Sequence, residues 1–288
     1  MRRKGDQAVT NPCHRRYRGR VRIVLSCLVA LLLAGCGSSG STGETAEPST
    51  PPAAAPARSD VAGTQKSVTV PASACRDGAI QAVGDERRAF AAVVERRATA
   101  RRAPGGEPIQ RFGRENVNGV PTVFGVLARR VDGRCRATWY RVQLPLRPNG
   151  ITGWVRASEV TVLPVTTRIV VDLSERRVTL YDRGRVVHVT RAAIGTAATP
   201  TPTGRYYVNQ RLVPRDPTGP FGPGAIGISA FSPVLTGWAQ GGPVAIHGTN
   251  RPDLIGQAVS NGCVRVANDD LRVLFAKALA GTPVLIRS

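Results

Sequence analysis

The chain has 288 residues, 42% of them hydrophobic, with 31 glycines, 22 prolines and a formal net charge of +21. That length and apolar content exclude a wholly disordered chain and suit one or two cored domains. The charge selects an acidic polymer or surface as partner, but the basic residues are scattered arginines without a nucleic-acid motif, so no nucleic-acid partner is expected.

The first 35 residues hold eight Lys/Arg and one acid, which leaves +14 on the rest. Within them, the apolar run Ile23–Ala34 has the length of a signal-peptide core and falls short of the roughly 20 residues a spanning helix needs. It ends in Leu33-Ala34-Gly35-Cys36, which resembles the bacterial lipobox. The small residues fit a peptidase cleft, and the Cys36 thiol is the acceptor for a diacylglyceryl group. Each buried CH₂ contributes about 0.8 kcal/mol, so two or three acyl chains anchor a protein stably. The expectation is a lipoprotein signal peptide over 1–35 and an extracytoplasmic protein, lipid-anchored to the membrane at Cys36 and facing the cell wall.

Residues 36–67 are Gly, Ser, Thr, Pro and Ala with few large apolar groups, and read as a flexible tether. Residues 68–163 form a small β domain. Its "DERRAFAAVVERRATARRA" segment predicts a short Ala-rich helix passing into a strand. Short strands follow, broken by turn signals at Asp132-Gly133 and Asn149-Gly150. The pieces "ATWYRVQLP" and "TGWVRASEV" resemble the late strands of a bacterial SH3-like barrel, a fold that often serves as a wall-targeting module. Trp139 and Trp154 read as packing residues rather than ligand contacts.

From 165 to 288 the strands lengthen. "RIVVDLSERRVTLYDRGRVVHVTRAAIG" predicts three, with turns near Glu175-Arg176 and Asp182-Arg183-Gly184. "TPTGRYYVNQRLV", "GAIGISAFSPVLTGW" and "GPVAIHGT" predict more. A helix is expected over 269–280, N-capped by Asn268 or Asp269 and stopped by Gly281, with a final strand over 282–287. The fold class is therefore mainly β, with one helix near Cys263.

Six cysteines are present. Loss of the signal removes Cys13 and Cys27. Outside the membrane disulfides persist, so Cys75 and Cys135 can pair, leaving Cys263 alone, either reactive or buried and inert. A bridge closing a loop of about 60 residues adds roughly 4 kcal/mol. The three histidines, His14, His188 and His247, are too few and too far apart for a zinc site, so neither metal nor cofactor is expected. His188 falls inside an alternating strand and reads as structural.

A thiol reacts as the thiolate and needs a base or a positive partner near neutral pH. His247 closes a predicted strand 16 residues before Cys263, a spacing that lets a loop return the thiol to the imidazole. Gly248 permits a sharp turn, and its carbonyl can take a ring N–H and fix the tautomer. Gly262 removes side-chain bulk where a substrate approaches and frees amides near 261–263 for an oxyanion hole. Arg265 offers a rigid fork for a carboxylate or carbonyl.

The segment "AIHGTN…AVSNGCVRV" resembles the signature of the L,D-transpeptidase (YkuD) catalytic domain: His247-Gly248-Thr249, then Ser260-Asn261-Gly262-Cys263-Val264-Arg265. Gly195 and Thr201–Gly204 are similar to the family's upstream "G…TPTG". Asn261 stands where one common form of the signature has histidine, so all proton transfer falls to His247. The resemblance implies a β-sandwich-like domain that acts on peptidoglycan stem peptides. Cys263 attacks the stem carbonyl, and His247 serves as base and then acid. Amides around Gly262 hold the oxyanion, and Ser260, Asn261 and Arg265 contact the donor stem. An amine resolves the thioester into a 3→3 cross-link. It also implies carbapenem-type β-lactams as inhibitors and no cofactor. An L,D-carboxypeptidase, transfer to a protein amine, and a non-catalytic wall-binding lipoprotein are the alternatives. A papain-like hydrolase is disfavoured because its cysteine precedes its histidine.

Overall fold

The computed structural model describes residues 75–288. The signal segment, Cys36 and the 36–67 tether lie outside the described residues. Two sheets account for most of what is described, and the chain passes from one to the other at Thr166.

The first sheet holds β1 (Ile80–Ala82), β2 (Ala89–Val94), β3 (Arg97–Arg101), β4 (Pro108–Gly113), β5 (Val123–Val131), β6 (Ala137–Gln143), β7 (Thr152–Arg156) and β8 (Val160–Val165). Its order is β4-β3-β7-β6-β5-β2-β8, with β1 on β5. The helix expected in the Ala-rich segment is absent: residues 89–101 form the strands β2 and β3. Here the alternation of Ala92, Val94, Ala98 and Ala100, all buried in one core cluster, outweighs the helix propensity of alanine. Cys75 and Cys135 are joined in a disulfide, with Cys135 at a left-handed φ of 61° in the β5–β6 turn. Trp139 and Trp154 are buried, but outside the core cluster: Tyr140 and Val155, next to them in the chain and opposite each other in the register, face the cluster, so the tryptophans face away.

The second sheet holds β9 (Thr167–Asp172), β10 (Arg177–Asp182), β11 (Arg185–Arg191), β13 (Gly204–Leu212), β14 (Ala225–Phe231), β15 (Pro243–His247), β17 (Val264–Arg265) and β18 (Pro283–Arg287), while β12 (Ile194–Gly195) and β16 (Ala258–Ser260) pair separately. The order is β11-β10-β9-β18-β13-β14-β15-β17. Even-numbered residues of the site strands (Ile226, Ile228, Val244, Ile246, Val264) enter the core beside Leu271 and Leu274 of the helix α1 (Asn268–Lys277). The odd-numbered residues are thereby turned to the opposite face. The helix ends earlier than expected, and its N-cap is Ala267, without a side-chain cap. Asp269 and Asp270 in its first turn suit the helix dipole.

The sheets meet through named groups. Gln143 Nε2 donates to Arg205 O at 2.6 Å, Arg147 donates to Ser232 O at 2.6 Å, and Asn149 exchanges two 2.9 Å hydrogen bonds with the Phe231 backbone. Ala91, Val123 and Val165 pack against Ala280.

Candidate active site

β15 and β17 run parallel, with Ile246 opposite Val264 and His247 opposite Arg265. Cys263, one residue before β17, is therefore level with Ala245. Because side chains alternate, Ala245, His247, Cys263 and Arg265 share the face turned away from the core. The predicted thiol, imidazole and guanidinium are thus brought to one surface, within two residues along the strands and one strand spacing across, about 4.8 Å.

His247 is 3% exposed. Its Nδ1 lies 2.6 Å from Gly248 O. A carbonyl only accepts, so Nδ1 carries the proton and Nε2 is left with its lone pair. Burial pushes the imidazole down to about 4; the Gly248 hydrogen bond opposes the shift and the Arg265 charge adds to it. Cys263 is partly exposed. Burial pushes its thiol up, against a hydrogen bond from the Ala245 backbone and the Arg265 charge. The resting pair is consequently a neutral thiol beside a neutral imidazole. Phe221 leans on His247 with ring centroids 4.9 Å apart.

The turn carrying the thiol is clamped from within. Ser260 Oγ donates to Cys263 O at 2.5 Å and accepts the Gly262 N–H at 3.1 Å. Two expectations change as a result. Ser260, 1% exposed, shapes the loop and has no surface for a donor stem. The Gly262 amide is not free, because it already donates to Ser260 Oγ. Gly262 itself sits at φ 110°, a conformation that side chains resist. Asn261 is exposed beside the thiol. The Nε of Arg265 is buried without a hydrogen-bond partner.

The upstream motif holds this loop from outside. Thr196 N–H and Thr199 Oγ1 donate to Ser260 O at 3.1 and 2.9 Å, and Gly195 N–H donates to Thr201 Oγ1 at 2.9 Å. Thr201→Val strands the buried Gly195 amide. It is expected to cost about 1–3 kcal/mol in urea unfolding and to slow acylation of Cys263.

Sequence reasoning missed Asn268. Its Oδ1 accepts the Thr249 N–H at 2.8 Å and so ties the start of α1 to the turn after His247. Only the meeting of two segments 19 residues apart reveals this; in the chain the residue reads as a helix cap. His188, read as structural, joins β11 to α1 through Asp270 Oδ1 at 2.9 Å.

The profile of the YkuD L,D-transpeptidase catalytic domain matches residues 166–286. The chain is 36% identical over 141 residues to a Bacillus licheniformis protein assigned as the L,D-transpeptidase YkuD, covering 46% of this chain and 78% of that one. To its Bacillus subtilis namesake it is 38% identical over 118 residues, 41% of this chain and 64% of the relative. Among solved structures it is similar to the Enterococcus faecium L,D-transpeptidase C442S mutant, at 26% identity and a TM-score of 0.33, spanning 42% of this chain and about half (49%) of that one.

Proposed function

The chain belongs to the YkuD-type L,D-transpeptidase family, and from that footing we propose that it is a cysteine acyltransferase that forms 3→3 cross-links between peptidoglycan stems. The observation that carries this reading is the shared sheet face of Cys263 and His247, with the ring proton fixed on Nδ1 toward Gly248.

With both groups neutral at rest, the Cys263 proton passes to His247 Nε2 as the sulfur attacks the carbonyl of the third stem residue. The Cys263 amide takes the developing oxyanion. The Arg265 guanidinium draws the donor stem into place, and Asn261 borders the same cleft. Collapse breaks the amide bond, and His247 returns its proton to the departing terminal D-amino acid. A side-chain amine of a second stem attacks the thioester, gives a proton to His247, and leaves the cross-link and the free thiol. Carbapenem-type β-lactams enter at the same sulfur by ring opening. In this reading a lipid on Cys36 holds the protein at the membrane face, and the β1–β8 sheet is an SH3-like accessory domain toward the wall.

Two measurements on the purified protein test it. Peptide mapping after incubation with a carbapenem is expected to find the adduct on the Cys263 peptide. Incubation with disaccharide-tetrapeptide is expected to yield dimers. Tripeptides alone assign water as acceptor and make the protein an L,D-carboxypeptidase. An unmodified Cys263 with no product leaves a non-catalytic wall-binding protein and ends the proposal.

A further inference from the structure

The face of the first sheet opposite its core carries a checkerboard of arginine and tryptophan. The register sets Arg156 opposite Trp139 and Trp139 opposite Arg130; beside this row, Arg101 stands opposite Trp154 and Trp154 opposite Arg141. The Arg156 guanidinium lies over the Trp139 ring at 4.9 Å. Both indoles are covered, at 7% and 8% exposure, while Arg141 and Arg156 are exposed and Arg101 and Arg130 partly so. None of the four arginines forms an ion pair among the described residues. Arg101 reaches only Gly106 O, and Arg141 only Thr152 Oγ1.

Four guanidiniums without an ion-pair partner alternate with two indoles across neighbouring strands, and one of them, Arg156, lies over its ring. Arginines flanking one tryptophan are two strands apart, about 10 Å, and the two rows are two residues apart, about 7 Å. We propose that this face docks a linear phosphate polymer of the polyphosphate type, its successive phosphates taken by guanidinium forks. The surroundings favour a chain over a bilayer. Gln143, two residues beyond Arg141 on the same face, is hydrogen-bonded to Arg205 of the second sheet, and Tyr207 lies over Gly125 opposite it. The grid therefore ends against the second sheet in a re-entrant corner, which a strand can enter and a planar membrane cannot. The indoles are covered, Trp139 by Arg156, rather than projecting as interfacial anchors do. This surface is separate from Cys263 and stands whether or not the catalytic reading does.

The test is binding of long-chain inorganic polyphosphate to the full chain across a salt series. The R101Q/R130Q/R141Q/R156Q variant is expected to bind at least about tenfold more weakly. Its log Kd–log salt slope should be smaller by about 3, close to 0.7 for each lost contact. The fourfold Arg→Lys variant keeps the charge and most of the slope. If the glutamine variant does not fold, R141Q and R156Q singly are expected to lower the slope by about 0.7 each. A charge-matched control away from the patch, R183Q/R185Q/R251Q/R272Q, on the β10–β11 turn, β11, the loop after β15 and α1, should leave the slope nearly unchanged. The proposal is overturned if the control loses as much as the patch variant, or if the patch variant loses nothing. It is also overturned if the patch discriminates only on phosphatidylglycerol vesicles and not on polyphosphate.

Discussion

Replacing His247 by glutamine is expected to slow thioester formation at Cys263 by about 10²–10⁴-fold, the usual worth of a positioned general base, and to make the protein less sensitive to acid. The two effects have one origin. The imidazole is buried at 3% exposure and held near 4 against an ordinary value of 6.5. Below pH 6.5 the unfolded chain takes up a proton that the folded chain refuses. The stability this group supplies is therefore complete above pH 6.5 and is lost as pH falls through about 4, a loss of about 3 kcal/mol. Urea unfolding at pH 7 and pH 4 should show the wild type losing about 3 kcal/mol more than the His247→Gln variant. Parallel losses would remove the claim. The neutral pair also sets the pH dependence of the sulfur. Alkylation of Cys263 by iodoacetamide should climb toward an inflection above the ordinary thiol value, because burial pushes the thiol up. A preformed thiolate–imidazolium pair would instead give a plateau across neutral pH.

The same residues show which parts of the site a sequence can carry. That His247, Cys263 and Arg265 meet on one sheet face was legible because a single strand-loop-strand passage sets their spacing. The strands from 168 to 191 were legible because alternation and turn residues are local. What failed is what depends on distant partners. Residues 89–101 read as partly helical because alanine favours helices, yet the alternating small residues pack in a sheet core with Phe124, Val142 and Val155. Ser260 read as a ligand contact, but its hydroxyl is spent on the loop it belongs to. Asn268 read as a cap, and the fold gives its carboxamide to Thr249 instead. Trp139 and Trp154 read as packing residues; they are buried, but on the outer face among arginines rather than in the core cluster, with Arg156 over Trp139.

Gly248→Ala is expected to destabilise the protein by about 3 kcal/mol or more and to slow acylation by roughly 100-fold, since a displacement of about 1 Å at a catalytic group suffices for that. The methyl would press into Asn268 Oδ1 and would lie 3.0 Å from Pro223 Cδ and 3.1 Å from Gly222 Cα. The loop carrying Phe221, the turn after His247 and the start of α1 all converge on this one point. The backbone on the loop and turn sides cannot retreat without moving the Gly248 carbonyl, and that carbonyl sets the His247 tautomer. Asn268→Ala alone leaves the Thr249 N–H without its acceptor and should cost about 1–3 kcal/mol. In the double variant the carboxamide is gone and one of the three collisions goes with it, so the combined loss should fall short of the sum by about 1 kcal/mol or more. Denaturation and carbapenem-adduct rates on the four proteins of the cycle decide the matter. Strict additivity in both would mean that Asn268 does not support the histidine turn, and the site would then be held by the strands alone.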